Sequence, residues 1–293
     1  VPFDQSLKLL APLLEDRSVL KIGQNLKYDM QVLARYGLQI FSYDDTMLLS
    51  YVLDGGLHGH GLDELARDQL GIETIKFKDV VGTGKNQITF DFVPLDEARD
   101  YAAEDADITL RLHRLFRSRL VEEHMVTVYE TLERPIISIL EKMERTGVKV
   151  NAAELKQLSG DFSRRIAILE DQIYDLAGRE FNVGSPKQLG EVLFDEMGLP
   201  SSKKSKTGAY ATGADVLENL ATEGYELPAR ILDWRQLSKL KSTYTDALIS
   251  AINPATGRIH TSYAQAATTT GRLASSNPNL QNIPIRSEEG RKI

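Results

Sequence analysis

The chain contains no cysteine. That absence excludes a disulfide framework, thiolate zinc sites and a cysteine nucleophile, and it suits a reducing compartment. No apolar run approaches the ~18–20 residues a membrane span needs, and nothing near Val1 follows the pattern of a signal peptide. A cytoplasmic location away from membranes is therefore expected. Positive charge is scarce: 35 Lys and Arg stand against 42 Asp and Glu, a net charge of −7. Taken whole, that balance speaks against a nucleic-acid binder, but it is uneven. Residues 1–124 hold 14 basic and 21 acidic side chains, whereas residues 201–293 hold 12 basic and 8 acidic. An acidic first part suits a site for cations, and a mildly basic end suits phosphates. Solvated faces of ordinary domains would give the same balance.

With 293 residues, 42% of them hydrophobic, the chain is long enough for about two domains, each with its own core. It begins at Val1-Pro2 and stops at Arg291-Lys292-Ile293 without a closing element, which predicts a piece of a longer protein. The apolar spacing predicts a helix over 3–15, a strand at Val19–Ile22, a helix from about Asn25 to Tyr36 and a short strand around Leu38–Phe41. A helix from about Asp45, a glycine loop over 55–61, a helix near Leu62–Leu70 and a long helix from Leu95 follow. Alternating helices and short strands indicate α/β architecture. From about Val121 the pattern is almost entirely helical. Asn151 with Glu154 forms a capping box that opens a helix to about Ala177, and Ser185-Pro186 is a second helix start. Ser201–Gly208 reads as a mobile basic loop tip. A long helix over 227–252 and an extended segment over 258–265 complete the pattern.

Four stretches could carry chemistry. Tyr101 and Asp105 stand i, i+4 on a predicted helix, so phenol and carboxylate share a face, with Asp100, Glu104 and Asp107 crowding the same turns. Gln24-Asn25-Leu26-Lys27-Tyr28-Asp29 follows a strand, where open α/β sheets favour ligand sites. The run from Thr268 to Pro284 is rich in amides and hydroxyls around one arginine, Arg272. On the helix after Arg235, the side chains of Arg235, Lys239 and Ser242 fall on adjacent positions. Singly, each also reads as a solvated face, a helix cap or a polar loop. The five histidines show no metal-ligand spacing, and His58 and His60 read as part of a structural turn. Gly82-Thr83-Gly84-Lys85 lacks the full spacing of a phosphate loop.

Together these motifs, in this order, resemble the family A DNA polymerases. Gly23–Asp29, the stretch around Asp45-Thr46-Met47-Leu48, and Tyr101-Ala102-Ala103-Glu104-Asp105-Ala106-Asp107 are similar to the family's 3′–5′ proofreading exonuclease. The resemblance implies that Asp29 and Asp105 ligate Mg2+ or Mn2+, that Tyr101 orients the attacking water, and that Gln24, Asn25 and Tyr28 touch a frayed single-stranded 3′ end. Two such ions can stabilise the attacking and leaving oxygens of a phosphodiester. The family's first motif, an Asp-x-Glu, has no counterpart here, so the two-metal site is expected to be incomplete.

The run around Arg272 is similar to the entrance of the family's palm. The resemblance implies that Arg272, Asn279, Gln281 and Asn282 reach the minor groove of a primer–template, whose acceptors are nearly independent of sequence. Arg235 and Lys239 would follow a phosphate backbone on a thumb helix, with Lys203, Lys204 and Lys206 at the thumb's tip. The expected fold is an α/β exonuclease domain over 1–124, ribonuclease H-like, with a mixed sheet, flanking helices and its N-terminal strands missing. A polymerase part over 125–293 follows, comprising a mostly α-helical thumb at about 150–252 and a palm entrance at about 253–293. The parent is expected to be monomeric, to copy DNA in replication and repair from deoxynucleoside triphosphates, and to proofread. The isolated chain is expected to be inactive or nearly so. Two other readings stay open: a stand-alone ribonuclease D-like exonuclease, and a non-catalytic DNA-binding module.

Overall fold

Helix α1 (Phe3–Glu15) leads into strand β1 (Lys21–Gly23), helix α2 (Leu26–Ala34), strand β2 (Tyr43–Asp45) and helix α3 (Thr46–Asp54). This computed structural model describes residues 2–200 and 210–293; Lys203, Lys204 and Lys206 lie outside them. Strands β1 and β2 pair in parallel, Lys21 opposite Tyr43 and Gly23 opposite Asp45. The strand predicted at Leu38–Phe41 is absent, and pairing begins instead at Tyr43. The apolar run gave the wrong place because β2 is fixed by its carboxylates. Asp44 and Asp45, each 1% exposed, find partners far along the chain.

The chain continues through α4 (Leu62–Leu65), which widens into a π turn over Ala66–Leu70, then α5 (Phe77–Val81), the 28-residue α6 (Leu95–Glu122), and α7 (Val126–Val128). Helix α8 (Arg134–Thr146) follows, ended by Gly147 at φ +70°, in the left-handed region that glycine tolerates. On α6, Ile108, Leu112, Phe116 and Leu120 recur every four residues and are buried. They join Leu48, Leu49 and Val52 of α3 in one core, each contributing roughly 1.5–3 kcal/mol of burial.

Strand β3 (Val148–Lys149) and helix α9 (Ala152–Ala177) open a second compact unit. As predicted, the side chain of Asn151 accepts the N–H of Glu154 at the start of α9, and that of Ser185 accepts the N–H of Gln188 at the start of α10 (Pro186–Gly190). A π turn over Glu191–Glu196, α11 (Ala214–Thr222) and α12 (Glu226–Lys239) follow; α12 widens through Leu240–Asp246 into α13 (Ala247–Ser250). Strands β4 (Ile252–Asn253) and β5 (Arg258–Ile259) pair antiparallel, and β3 pairs on the other side of β5. Phe162, Leu237, Leu240 and Ile259 fill one core of this unit, and Ile173, Leu217 and Ile231 fill another.

Residues 261–279 belong to the first unit, where β6 (Ser262–Ala264) and β7 (Ala274–Ser276) form an antiparallel hairpin. The first unit is thus Val1–Gly147 with Thr261–Asn279, and the second is Val148–His260 with Leu280–Ile293.

Candidate nuclease and DNA-contact sites

Tyr101 and Asp105 lie seven and three residues before Ile108, so they continue the buried stripe of α6 toward the helix's polar end. Both are half-buried. The Tyr101 hydroxyl donates to the Asp105 carboxylate, and burial together with that negative charge pushes the phenol up to about 12. Burial also raises the Asp105 carboxyl above its usual range. The Tyr101 hydrogen bond opposes the rise, while the charges of Asp63 and Glu104 add to it. Those two neighbours, which the sequence did not single out as a pair, are held by other bonds. Asp63 accepts from the Thr74 hydroxyl at 2.7 Å, and Glu104 from the Ile75 N–H at 2.6 Å. Phe77 and Phe90 complete the surroundings, with ring centroids 6.0 and 5.9 Å from that of Tyr101. The site therefore gathers negative charge beside an aromatic wall and keeps its phenol protonated.

Asp29 stands in the first turn of α2 and is exposed at its surface, yet the protein around the carboxyl raises its pKa. Among the described residues, no three His, Asp or Glu side chains converge as a metal centre requires. The donors among the described residues therefore do not by themselves fit a complete divalent-metal site.

The entry to α2 is built by Asp45. Its two carboxylate oxygens accept the N–H groups of Asn25 at 3.1 Å and Leu26 at 2.8 Å, and it caps α3 through Met47 at 2.9 Å. This arrangement holds Asn25 at φ +56°, which asparagine tolerates better than most residues. It fixes the backbone from which Asn25 and Tyr28, 66% exposed, project. Burial pushes the Asp45 carboxyl up to about 6 against those donors. Gln24 is tied at both ends of its amide, donating to the His60 carbonyl at 2.7 Å and accepting from Thr46 at 2.5 Å. Gln24, Asn25 and Tyr28 line a cleft of about 520 Å³ whose other wall includes Ser262–Ala267.

Asp44 faces the other way from this cleft's lining. Burial opposes its ionisation, but His113 at 2.8 Å, Arg117 and Arg134 hold it below the usual carboxylate range, and the Tyr129 hydroxyl donates to it at 3.2 Å. His60 meets the Ser50 hydroxyl at 2.8 Å, and Arg119 grips Asp54 with two bonds of 2.8 Å.

Arg272 sits exposed in the β6–β7 turn. Its N–H donates to the Thr268 hydroxyl oxygen at 3.1 Å, and its carbonyl accepts from that hydroxyl at 2.8 Å. The two bonds fix the backbone of the turn. Asn279, exposed in the same unit, accepts from Ser275 at 3.4 Å. Gln281 and Asn282 are exposed in the second unit, where the Asn282 carbonyl accepts from the Tyr244 hydroxyl. On α12, Lys239 is exposed, but Arg235 is half-buried and donates to the Thr212 carbonyl at 2.6 Å. That bond ties its guanidinium into the second unit, and desolvation lowers the Arg235 pKa.

Comparison with known proteins accounts for this order of parts. A 3′–5′ exonuclease family model matches residues 3–121, and a DNA polymerase family A model matches residues 152–293. DNA polymerase I of Rhizobium leguminosarum is 56% identical over all of this chain, and that of Pseudomonas aeruginosa is 50% identical over 99% of it. The chain spans 29% and 32% of those relatives. Among solved structures, the polymerase domain of Pol1 from M. smegmatis, in complex with DNA primer-template and dNTP, superposes with a TM-score of 0.83 at 33% identity. That match covers all of this chain and 47% of the other. With an exonuclease match over 3–121 followed by a polymerase family A match over 152–293, and DNA polymerase I relatives similar along its whole length, the chain belongs to the family A DNA polymerases.

Proposed function

We propose that the chain is the part of a DNA-directed DNA polymerase that joins proofreading to primer–template binding. The observation that carries this reading is the Tyr101–Asp105 pair, a protonated phenol hydrogen-bonded to a carboxylate in an acidic, partly buried setting. A phenol of this kind, its one proton held by Asp105, can accept a hydrogen bond from a water and so orient it. In this reading residues 1–124 are a ribonuclease H-like exonuclease domain and residues 125–293 begin the polymerase domain. Asn25 and Tyr28 take the frayed 3′ end, with Gln24 holding the cleft's shape. Asp29 and Asp105 are the chain's contribution to a Mg2+ or Mn2+ site. Two donors are too few for such a centre, so no catalytic step is assigned to the metal.

Arg272, Asn279, Gln281 and Asn282 are the proposed minor-groove contacts, and Lys239 with Arg235 supplies charge for the duplex backbone. Deoxynucleoside triphosphates are substrates of the whole protein, which acts as a soluble monomer in bacterial replication and repair. The chain by itself is proposed to bind DNA without turnover, because no three-donor centre forms among its described residues. The stand-alone nuclease reading leaves the match over 152–293 without a role.

The test is Arg272→Ala in the full-length protein. Primer-extension kcat/KM should fall about tenfold or more, in line with the loss of a charged hydrogen bond to a minor-groove acceptor, while trimming of a single strand is unchanged. Unchanged extension would overturn the minor-groove assignment.

A further inference from the structure

The hairpin that carries Arg272 is bolted to helix α2 through one buried carboxylate. Glu144, 7% exposed on α8, accepts from the Lys27 ammonium, from the Gln31 amide and, at 2.6 Å, from the backbone N–H of Tyr263 in β6. Lys27 in turn donates to the Tyr263 carbonyl. Both backbone polar groups of one residue on β6, Tyr263, are thus held by an ion pair reaching from α8 and α2. Tyr263 is opposite Ser275 in the hairpin, so Glu144 and Lys27 satisfy a strand edge that would otherwise stand unpaired.

Two other ties hold the same segment. Gln265 donates to the Glu133 carbonyl at 3.0 Å, and the Tyr51 hydroxyl donates to the Thr268 carbonyl at 2.8 Å. Those ties keep the hairpin attached. What Glu144 adds is register, because an acceptor bonded at once to Lys27, Gln31 and the Tyr263 N–H tolerates only one placement of β6. Glu144 also falls in the interval 122–151, outside both the exonuclease match at 3–121 and the polymerase match at 152–293. It ties Lys27 and Gln31 of the former to Tyr263 of the latter.

We propose that Glu144 is a positioning residue that sets the placement of the Arg272 hairpin against α2, and through it the presentation of Arg272 to duplex DNA. The inference rests on the reading of Arg272 as a duplex contact.

The test uses the full-length protein, a fluorescently labelled primer–template duplex at fixed salt, and amide hydrogen exchange. Glu144→Ala should weaken duplex binding about tenfold. Glu144→Gln keeps an acceptor for the Tyr263 N–H and should restore affinity to within about threefold of the native protein. Exchange should quicken over 262–276 in Glu144→Ala, with α3 and α6 unaffected. Should Glu144→Ala not fold, Glu144→Asp carries the test: it keeps the charge one methylene short of the strand and should weaken duplex binding about threefold. The proposal is overturned if Glu144→Ala binds as the native protein does, if Glu144→Gln rescues nothing, or if Glu144→Asp is indistinguishable from the native protein. If the native protein itself binds no duplex, the reading of Arg272 has failed, and exchange over 262–276 still decides whether Glu144 sets the hairpin.

Discussion

The two compact units solve the problem of stability with different materials. Among the described residues, every buried carboxylate lies in the first unit: Asp44, Asp45, Asp54, Glu141 and Glu144. Among its described residues, the second unit buries no charged side chain, only Thr212 and Thr245 besides the tyrosine hydroxyl of Tyr244, around cores of Leu, Ile, Val, Phe and Tyr. Its charged pairs, such as Arg179 with Glu196 and Arg230 with Asp233, stay at the surface, where they contribute little to stability. Buried charge is costly unless fully bonded, and full bonding leaves few alternative arrangements. The first unit is therefore built to hold particular backbone geometries, such as the turn at Asn25 and the register of β6. The second is built to present a stable helical surface.

The largest stability effect should come from the apolar side. Phe162 is fully buried on α9, and Phe162→Ala should cost the second unit about 3–5 kcal/mol, read by hydrogen exchange of its slowest amides. Equal loss of protection in α3 and α6 would break the division into two units.

The next effect belongs to Asp45 and depends on pH. Asp45→Asn places an amide NH2 against a backbone N–H, leaving one donor unmet at a cost of about 1–3 kcal/mol. The native carboxyl, with a pKa of about 3.9 in an unfolded chain, is raised to about 6 by burial in the fold. The folded state therefore binds this proton more tightly. Its contribution is complete below about pH 4 and is lost as the pH rises through 6. The penalty of Asp45→Asn should accordingly be larger at pH 4 than at pH 7, by on the order of 2 kcal/mol. A penalty that is flat with pH would show that burial does not govern this carboxyl. The smallest effect is Asn151→Ala, which removes the α9 cap and should lower the second unit's stability by about 1 kcal/mol without pH dependence; thermal unfolding at both pH values checks it.

How much of this was readable beforehand follows the same division. The second unit's helix starts at Asn151 and Ser185 were legible because a cap and its donor lie three residues apart. Tyr101 and Asp105 were legible as a pair for the same reason of local spacing. Strand β2 was not, because Asp44 is satisfied by His113, Arg117 and Arg134, some 70 to 90 residues away in sequence. Glu144 looked like any helix-face carboxylate, and its meaning lies in Lys27 and Tyr263, more than a hundred residues away on either side. Arg235 read as a phosphate contact by its helix face, and only the fold reveals its bond to Thr212. The remote pairing of buried charge is the part that periodicity does not carry.

The role proposed for the acidic, phenol-bearing end of α6 in the first unit is trimming of a single-stranded 3′ end. The most direct measurement is Asp105→Ala in the full-length protein, with single-strand trimming and primer extension followed side by side. Trimming should fall about a hundredfold or more while extension keeps its native rate; a variant that trims as well as the native protein would contradict the account.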